Sequence, residues 1–394
     1  MDNKVYVVRC PDYEHVDEKL AELLDMMGGA GRFAQAGETV ALKPNLLRAA
    51  APDKAVSTHP AVVAAVARAV QAERARALIV DSPGAGYRYN QKSLERTYRA
   101  CAMDQAAQDS GADLNYDTAY QEVFFPEGRL VKRFEVVTPI LEADGLINLA
   151  KLKTHTLTAV TGAVKNLFGA IPGLFKAGYH AKLPDSRRFA GMLLDLARLL
   201  APRLSIMDAV LAMEGPGPGS GKPTTVGLLL AATDPLALDV AASEIIGLDP
   251  GQNALLVAAQ DRGLEPHHIS QVEVIGPPLD QLRLPNFKLP KTVGRGTVLR
   301  DPPAWQRALT GLFRDAMTVK PRVDPARCTA CAACHNACPV DAIAMVDAAE
   351  KTAARIDDTR CIRCYCCHEM CPEDAIDLHS SLLYHLIMEK WAAA

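Results

Sequence analysis

Short apolar runs alternate with amphipathic stretches along the first part of the chain. KVYVVR (4–9), TVALK (39–43), ALIV (77–80), GLINL (145–149), LSIM (204–207), VGLLLAA (226–232) and VEVI (272–275) read as strands. Such continuous apolar runs suit strands covered on both faces. Between them, helical periodicity runs over 16–27, 60–74, 94–109, 187–200, 236–246 and 253–262. Thr58 with His59-Pro60 forms a start signal for the second of these. The alternation predicts an α/β domain over 1–276, a mostly parallel sheet covered by helices on both faces. Residues 119–143 interrupt it: EVFFPEG and LVKRFEVV read as a β-hairpin outside the main sheet. Residues 277–323 lose periodicity and are rich in proline, which predicts a linker wrapping along the first domain. A small α+β domain is expected over 324–380, and an amphipathic C-terminal helix over 381–394.

Composition narrows the class. The 394 residues are 49% hydrophobic and 23% charged, ordinary for a globular protein of two or three domains. The net charge of −3 and the absence of any charge run argue against a nucleic-acid or membrane-surface binder. The N-terminal apolar run is too short for a signal peptide, and no window approaches a membrane span. Nine of the 11 cysteines fall between Cys328 and Cys371, which is metal-site usage and suits a reducing cytoplasm. Oligomerisation is left open.

Eight of those cysteines form two copies of C-x2-C-x2-C-x3-C-P. The first copy is Cys328, Cys331, Cys334, Cys338 and Pro339; the second is Cys361, Cys364, Cys367, Cys371 and Pro372. Four thiolates at this spacing can hold a cubane iron–sulfur cluster. Zinc or disulfides are the alternatives, but zinc needs only two CxxC pairs and explains neither the third cysteine nor the proline. Residues 324–380 thus resemble the bacterial dicluster ferredoxins. There the fourth cysteine of each run crosses to the other cluster. The resemblance implies two [4Fe-4S] clusters, one on Cys328, Cys331, Cys334 and Cys371, the other on Cys361, Cys364, Cys367 and Cys338. It also implies a redox partner protein. Cys366 is left over, read as a buried thiol rather than a ligand.

Several strands end in a polar or ionisable group: Lys43 and Asn45, Asp81, the KLKTH segment, Asp208 and Asp234. Ligands of open parallel sheets bind beyond the strands' carboxyl ends. Any one of these residues, Asp234 above all, can instead cap a helix. In an extended 149–155, Lys151, Lys153 and His155 share one face. TLTAVTGAVKNLFG then suits a short helix, with Val160, Val164, Leu167 and Phe168 inward and Lys165 and Asn166 toward the other side. Converging lysines point to capture of an anion such as a phosphate or carboxylate; a solvated lysine face is the alternative. His155 and His180 each read as acid–base groups, metal ligands or structural histidines. The run from Glu214 to Pro223 fails as a phosphate loop, which needs glycine at Pro216 and a hydroxyl at Pro223, and reads as a flexible glycine-rich lid.

The large domain resembles the DUF362 family in ALKPNLL (41–47), STHPAVV (57–63), GLINLAKLKTHTLTAVTGAVKNLFG (145–169), MDAVLAMEGPGP (207–218) and TDPLALDVAASEIIG (233–247). That family is distantly similar to lactate racemase-type proteins, a likeness that carries no cofactor over. The resemblance implies a site containing Lys43, Asn45, Lys153, His155, Lys165 and Asn166, with Asp208, Glu214 and Asp239 as further candidates. The expected function is iron–sulfur electron transfer to an anionic substrate or cofactor, with Lys153, Lys165 and His155 closest to the chemistry. A ferredoxin-like carrier serving a partner enzyme and a metal or cofactor maturation factor are the alternatives.

Overall fold

The computed structural model describes residues 3–84, 87–183, 185–290, 319–348 and 351–379; the expected helix over 381–394 and most of the 277–323 linker lie outside them. The large sheet contains β1 (Lys4–Arg9), β2 (Thr39–Lys43), β3 (Arg76–Ile79), β4 (Asp113–Leu114), β7 (Gly145–His155), β9 (Leu204–Glu214), β10 (Lys222–Ala232) and β11 (Glu273–Ile275). Its order is β11-β1-β10-β9-β7-β2-β3-β4, with the two-residue β8 (Ala159–Val160) folded back on β7. The pairs β2–β3, β2–β7, β3–β4, β7–β9 and β1–β11 are parallel. β10 runs antiparallel to both of its neighbours.

The period of two sorts side chains onto the two faces. Val40, Leu42, Ile147 and Leu149 join one core, with Leu20 and Leu23 of the helix Val16–Met26 and Val62, Val63 and Val66 of Pro60–Ala72. Ala41 and Leu146 face the opposite way, among Phe168 and the residues of Ser186–Leu200. Ala150 and Leu152 face the same way but meet Ala237, Leu238 and Ala241 of Pro235–Ile245. Lys151, Lys153 and His155 therefore continue the Ile147–Leu149 face at the strand's carboxyl end. The hairpin expected near 119–143 forms as β5 (Tyr120–Phe124) and β6 (Arg133–Val137), apart from the main sheet.

Three expectations change. The single helix over 94–109 is two, Gln91–Ala100 and Met103–Ser110, broken at Ala102, whose φ of 55° is left-handed. β9 runs on to Glu214, so Asp208 lies within a strand and not at its end. Because β10 is antiparallel, its carboxyl end points to the opposite edge of the sheet from that of β7. Asp234 stands there and caps the following helix, accepting Leu236 N–H at 2.8 Å.

The small unit pairs β12 (Lys320–Val323) with β15 (Ile376–His379) and β13 (Ile343–Ala348) with β14 (Lys351–Ile356). This pairing places 320–323 with the cysteine region, not with the linker. The described part of the linker does lie along the first domain: Leu282, Phe287 and Leu289 pack on its core.

Candidate functional site

Each cysteine run folds into the same local shape. Ala330 and Ala332 in the first copy have φ of 56° and 58°; Arg363 and Tyr365 in the second have 60° and 62°. Asp341 and Asp374, three residues after the last cysteine of each run, both have φ of 48°. Left-handed backbone costs a non-glycine residue about 1–2 kcal/mol. Six such residues at repeated offsets therefore mark a shape that something else stabilises. Residues alternating into this conformation turn successive N–H groups toward one concavity, an anion-binding nest. Cys334 and Cys367 sit in the short helices Ala333–Ala337 and Cys366–Met370. The last cysteine of each run, Cys338 and Cys371, accepts an N–H, from Ala342 and Ala375, both at 3.2 Å. His335 and His368 repeat one contact, Nδ1 to the carbonyls of Ile343 and Ile376, both at 2.6 Å.

Cys328, Cys331, Cys334 and Cys371 line one cavity, walled by Val323, Met345, Ala354 and Ile376. The first three come from one run and the last from the other. Cys338 packs in the same apolar cluster as Cys367. All the cysteines are free. Among the described residues, no three His, Cys, Asp or Glu side chains converge on a position for a single metal ion. Thiols around a cavity, donors aimed at sulfur and left-handed nests fit an anionic iron–sulfur cluster. Cys366 is buried among Ala177, Ala337 and Met370, with the Cys364 thiol beside it.

In the large domain two of the expected cations, Lys43 and Lys151, are already partnered. Lys43 Nζ meets Asp81 Oδ1 at 2.8 Å, both fully buried, and Asp81 Oδ2 accepts Leu46 N–H. Burial pushes Lys43 down and Asp81 up, and each partner pulls the other back. Gly169 makes the pair possible, since a Cβ there would collide with both charged groups. Lys151 Nζ lies 2.7 Å from Asp208 Oδ2, and Tyr13 Oη bonds to both. Tyr13 stacks on His59, whose backbone N–H also donates to Asp208. Lys151 and Asp208, expected to bind an anion, thus neutralise each other. Glu214, expected beside them, accepts the Lys288 N–H at 3.0 Å and ties down the linker. Asp239 accepts the amides of Ala163 and Val164 and caps the helix Gly162–Asn166. His180 stacks on Phe189 and is pushed down to about 3 by burial, which marks it as structural.

Among the described residues Lys165 has no acidic group within ion-pair distance, and neither has Lys153. Its Nζ donates to Asn45 Oδ1 at 2.8 Å and to the Val56 carbonyl at 2.6 Å, both neutral acceptors. Asn45 in turn donates to Asn166, which holds Asn148 and the carbonyls of Lys43 and Leu149. Burial pushes Lys153 well below its ordinary value, and Lys165 adds to the effect. Burial also lowers Lys165, opposed by Glu369. His155 is fully buried. Its Nδ1 accepts the Leu157 N–H at 3.0 Å, which places the proton of the neutral ring on Nε2. Burial and the two lysines hold it well below the usual histidine range. Its Nε2 faces Glu369 Oε1 at 3.2 Å, although the alignment falls short of a hydrogen bond. Burial raises Glu369, and Lys165 and Lys153 pull it back.

Glu369 had no signal of its own in the sequence. It lies between Cys367 and Cys371 and reaches across from the small unit into the lysine centre. The glycine-rich run, expected as a mobile lid, is the clamp that holds the two units together. The Pro216 carbonyl lies 3.2 Å from His368 Nε2 and Ser220 donates to Asp374 at 2.6 Å, while the Gly219 carbonyl accepts Arg48 at 2.7 Å and ties the run to the large domain itself. Lys176 was also unforeseen. It donates to the carbonyls of Ser82 and Pro83 and to Ser82 Oγ, each at 2.9 Å. No helix among the described residues is long and apolar enough to cross a membrane.

An α/β sheet joined to a cysteine-rich unit with repeated nests defines an iron–sulfur protein of the ferredoxin type with a large appended domain. Residues 327–375 match the 4Fe-4S dicluster domain family. Residues 40–244 match the domain of unknown function DUF362, and the chain belongs to that family. It is 34% identical to the Thylakoid-associated protein sll1697 of Synechocystis over 313 residues, 76% of this chain and 93% of that one. Among solved structures, the lactate racemase apoprotein of Thermoanaerobacterium thermosaccharolyticum superposes with a TM-score of 0.41 at 11% identity, covering 60% of this chain and 55% of the racemase. A Thermotoga maritima protein gives a TM-score of 0.33 at 11% identity, covering 52% of each chain. The ferredoxin-type domain supports a role in iron–sulfur electron transfer.

Proposed function

We propose that the protein carries two [4Fe-4S] clusters, on Cys328, Cys331, Cys334 and Cys371 and on Cys361, Cys364, Cys367 and Cys338. We further propose that it acts as an oxidoreductase toward an anionic substrate or cofactor at Lys153, His155 and Lys165. The observation that carries this reading is Glu369. Its carboxylate reaches His155 Nε2 from between two cluster cysteines and lies in the field of both lysines. A buried cationic centre closed by a carboxylate is one in which an entering anion exchanges with that carboxylate. When bound, the clusters supply one-electron transfer. Lys153 and Lys165 neutralise the charge of the ligand, Asn45 and Asn166 hold Lys153 in place, and the neutral His155 ring offers its Nε2–H to the ligand as a hydrogen-bond donor.

A second reading is a carrier that docks on a partner enzyme. It draws on the closed lysine centre and on the exposure of Cys331. Anaerobic purification with metal and sulfide counted, and co-purified small molecules identified by mass spectrometry, tests both. About eight irons and eight sulfides per chain are expected; zinc without labile sulfide refutes the cluster assignment. A Lys153→Ala protein is expected to keep its iron and lose the co-purified anion. If that variant retains both iron and anion, the lysine centre is not the site and the carrier reading takes its place.

A further inference from the structure

A second cationic recess opens to solvent between the large domain and the cysteine unit, lined by residues other than those of the lysine centre. This cleft, of about 540 Å³, is bounded by Arg48, Tyr87, Arg88 and Arg96 of the large domain and by Cys331 and Asn336 of the first cysteine run. Its volume falls within the roughly 300–1,000 Å³ typical of small-molecule sites. Three arginines line it and, among the described residues, no acidic one does. Like charges gathered in one recess repel each other unless a ligand neutralises them. Arg88 and Arg96 are exposed, and among the described residues neither has an acidic partner. Arg48 is only 8% exposed. Its terminal nitrogen donates to the Gly219 carbonyl at 2.7 Å and lies 3.5 Å from Asp374 Oδ1, but its Nε has no partner. The helix Gln91–Ala100 begins at the cleft, with Asn90 and Ser93 in its lining, so its positive end adds to the field. Tyr87, Leu174 and Met370 supply apolar surface beside these charges.

We propose that this cleft binds an organic phosphate, its phosphate gripped by Arg88 and Arg96 with the charge of Arg48 behind them, its apolar part against Tyr87, Leu174 and Met370. Guanidinium forks pair with carboxylates and phosphates alike, but a phosphate brings a third oxygen and up to twice the charge, which suits several arginines better than a lone carboxylate does. The bound molecule lies against Cys331. The lysine centre takes no part, so the two sites stand or fall separately.

The test is calorimetric titration of the anaerobically purified, iron-loaded protein with FMN, with riboflavin (the same ring without the phosphate) and with inorganic pyrophosphate. FMN is expected to bind saturably, with riboflavin at least about tenfold weaker. Arg88→Glu and Arg96→Glu are each expected to weaken FMN by about tenfold or more. Arg188→Glu, an exposed charge reversal on another face, is expected to stay within about twofold of the parent. The visible spectrum of each variant verifies that iron is retained. Binding of pyrophosphate without FMN, lost in both arginine variants, supports the phosphate contacts and reassigns the organic portion. Absence of saturable binding by either phosphate compound up to about 1 mM, or equal affinities in the parent and both arginine variants, overturns the proposal.

Discussion

The Lys43–Asp81 pair offers the sharpest energetic test, because the two readings of Lys43 predict opposite results. As half of a buried ion pair it is structural; as a ligand-binding cation it needs its charge. Asp81→Asn keeps an oxygen for the Leu46 N–H but leaves the Lys43 ammonium fully buried with only the Pro44 carbonyl in reach. Stranding one partner of a buried pair costs about 3–5 kcal/mol. The lysine can escape by shedding its proton, and for an ordinary lysine at neutral pH that costs about 4–5 kcal/mol, so the two limits agree. Lys43→Met combined with Asp81→Asn removes both charges and is expected to fall within about 1.5 kcal/mol of the parent. The double variant therefore recovers about 2–3 kcal/mol relative to Asp81→Asn alone. Anaerobic urea unfolding followed by far-ultraviolet circular dichroism measures it, with visible absorbance following the cluster unit separately. An Asp81→Asn protein within about 1 kcal/mol of the parent, or a double variant as damaged as the single, refutes the reasoning.

Three other outcomes follow from the geometry. Burial pushes Lys176 down to about 7. The unfolded chain keeps that proton up to a pH of about 10, so it binds more protons across this window and stability rises with pH there; Lys176→Met is expected to flatten that part of the slope in urea midpoints measured at several pH values. Ala332→Gly relieves a left-handed alanine and is expected to stabilise the first cysteine loop by up to about 1 kcal/mol, read as slower iron loss to a chelator. Gly217→Ala would drive a Cβ into the backbone of Thr154, next to His155; overpacking of about 1–3 kcal/mol is expected to loosen the clamp and speed proteolysis within 214–222, with far-ultraviolet dichroism unchanged.

The apolar runs located the strands of the large sheet, and the period of two placed Lys151, Lys153 and His155 on one face of β7. Periodicity carries no direction, however, so the reversal of β10 and the displacement of Asp234 to the far edge were not legible. Nor was the pairing of charges. Lys151 and Asp208 are 57 residues apart and meet only because β7 and β9 lie side by side in register. Two of the lysines that read as a converging patch, Lys43 and Lys151, are neutralised by Asp81 and Asp208, and Lys153 and Lys165 stand out only once those pairs are known. Asp239 was legible as a helix residue of doubtful function, and its capping role agrees. Glu369 was masked by its setting, since ligand spacing explained Cys367 and Cys371 on either side of it and drew no attention to the residues between.

That setting has a mechanical consequence. The turn Cys366–Met370 is anchored on one side by Cys367 and on the other by Cys371, and under the crossed pairing those two thiols belong to different clusters. Glu369 is therefore suspended between two supports. Under the pairing proposed above, freeing either thiol releases one end of that short helix, so the hold on the Glu369 carboxylate would track the occupancy of both centres, and the seal over the lysine centre would share the fate of the iron.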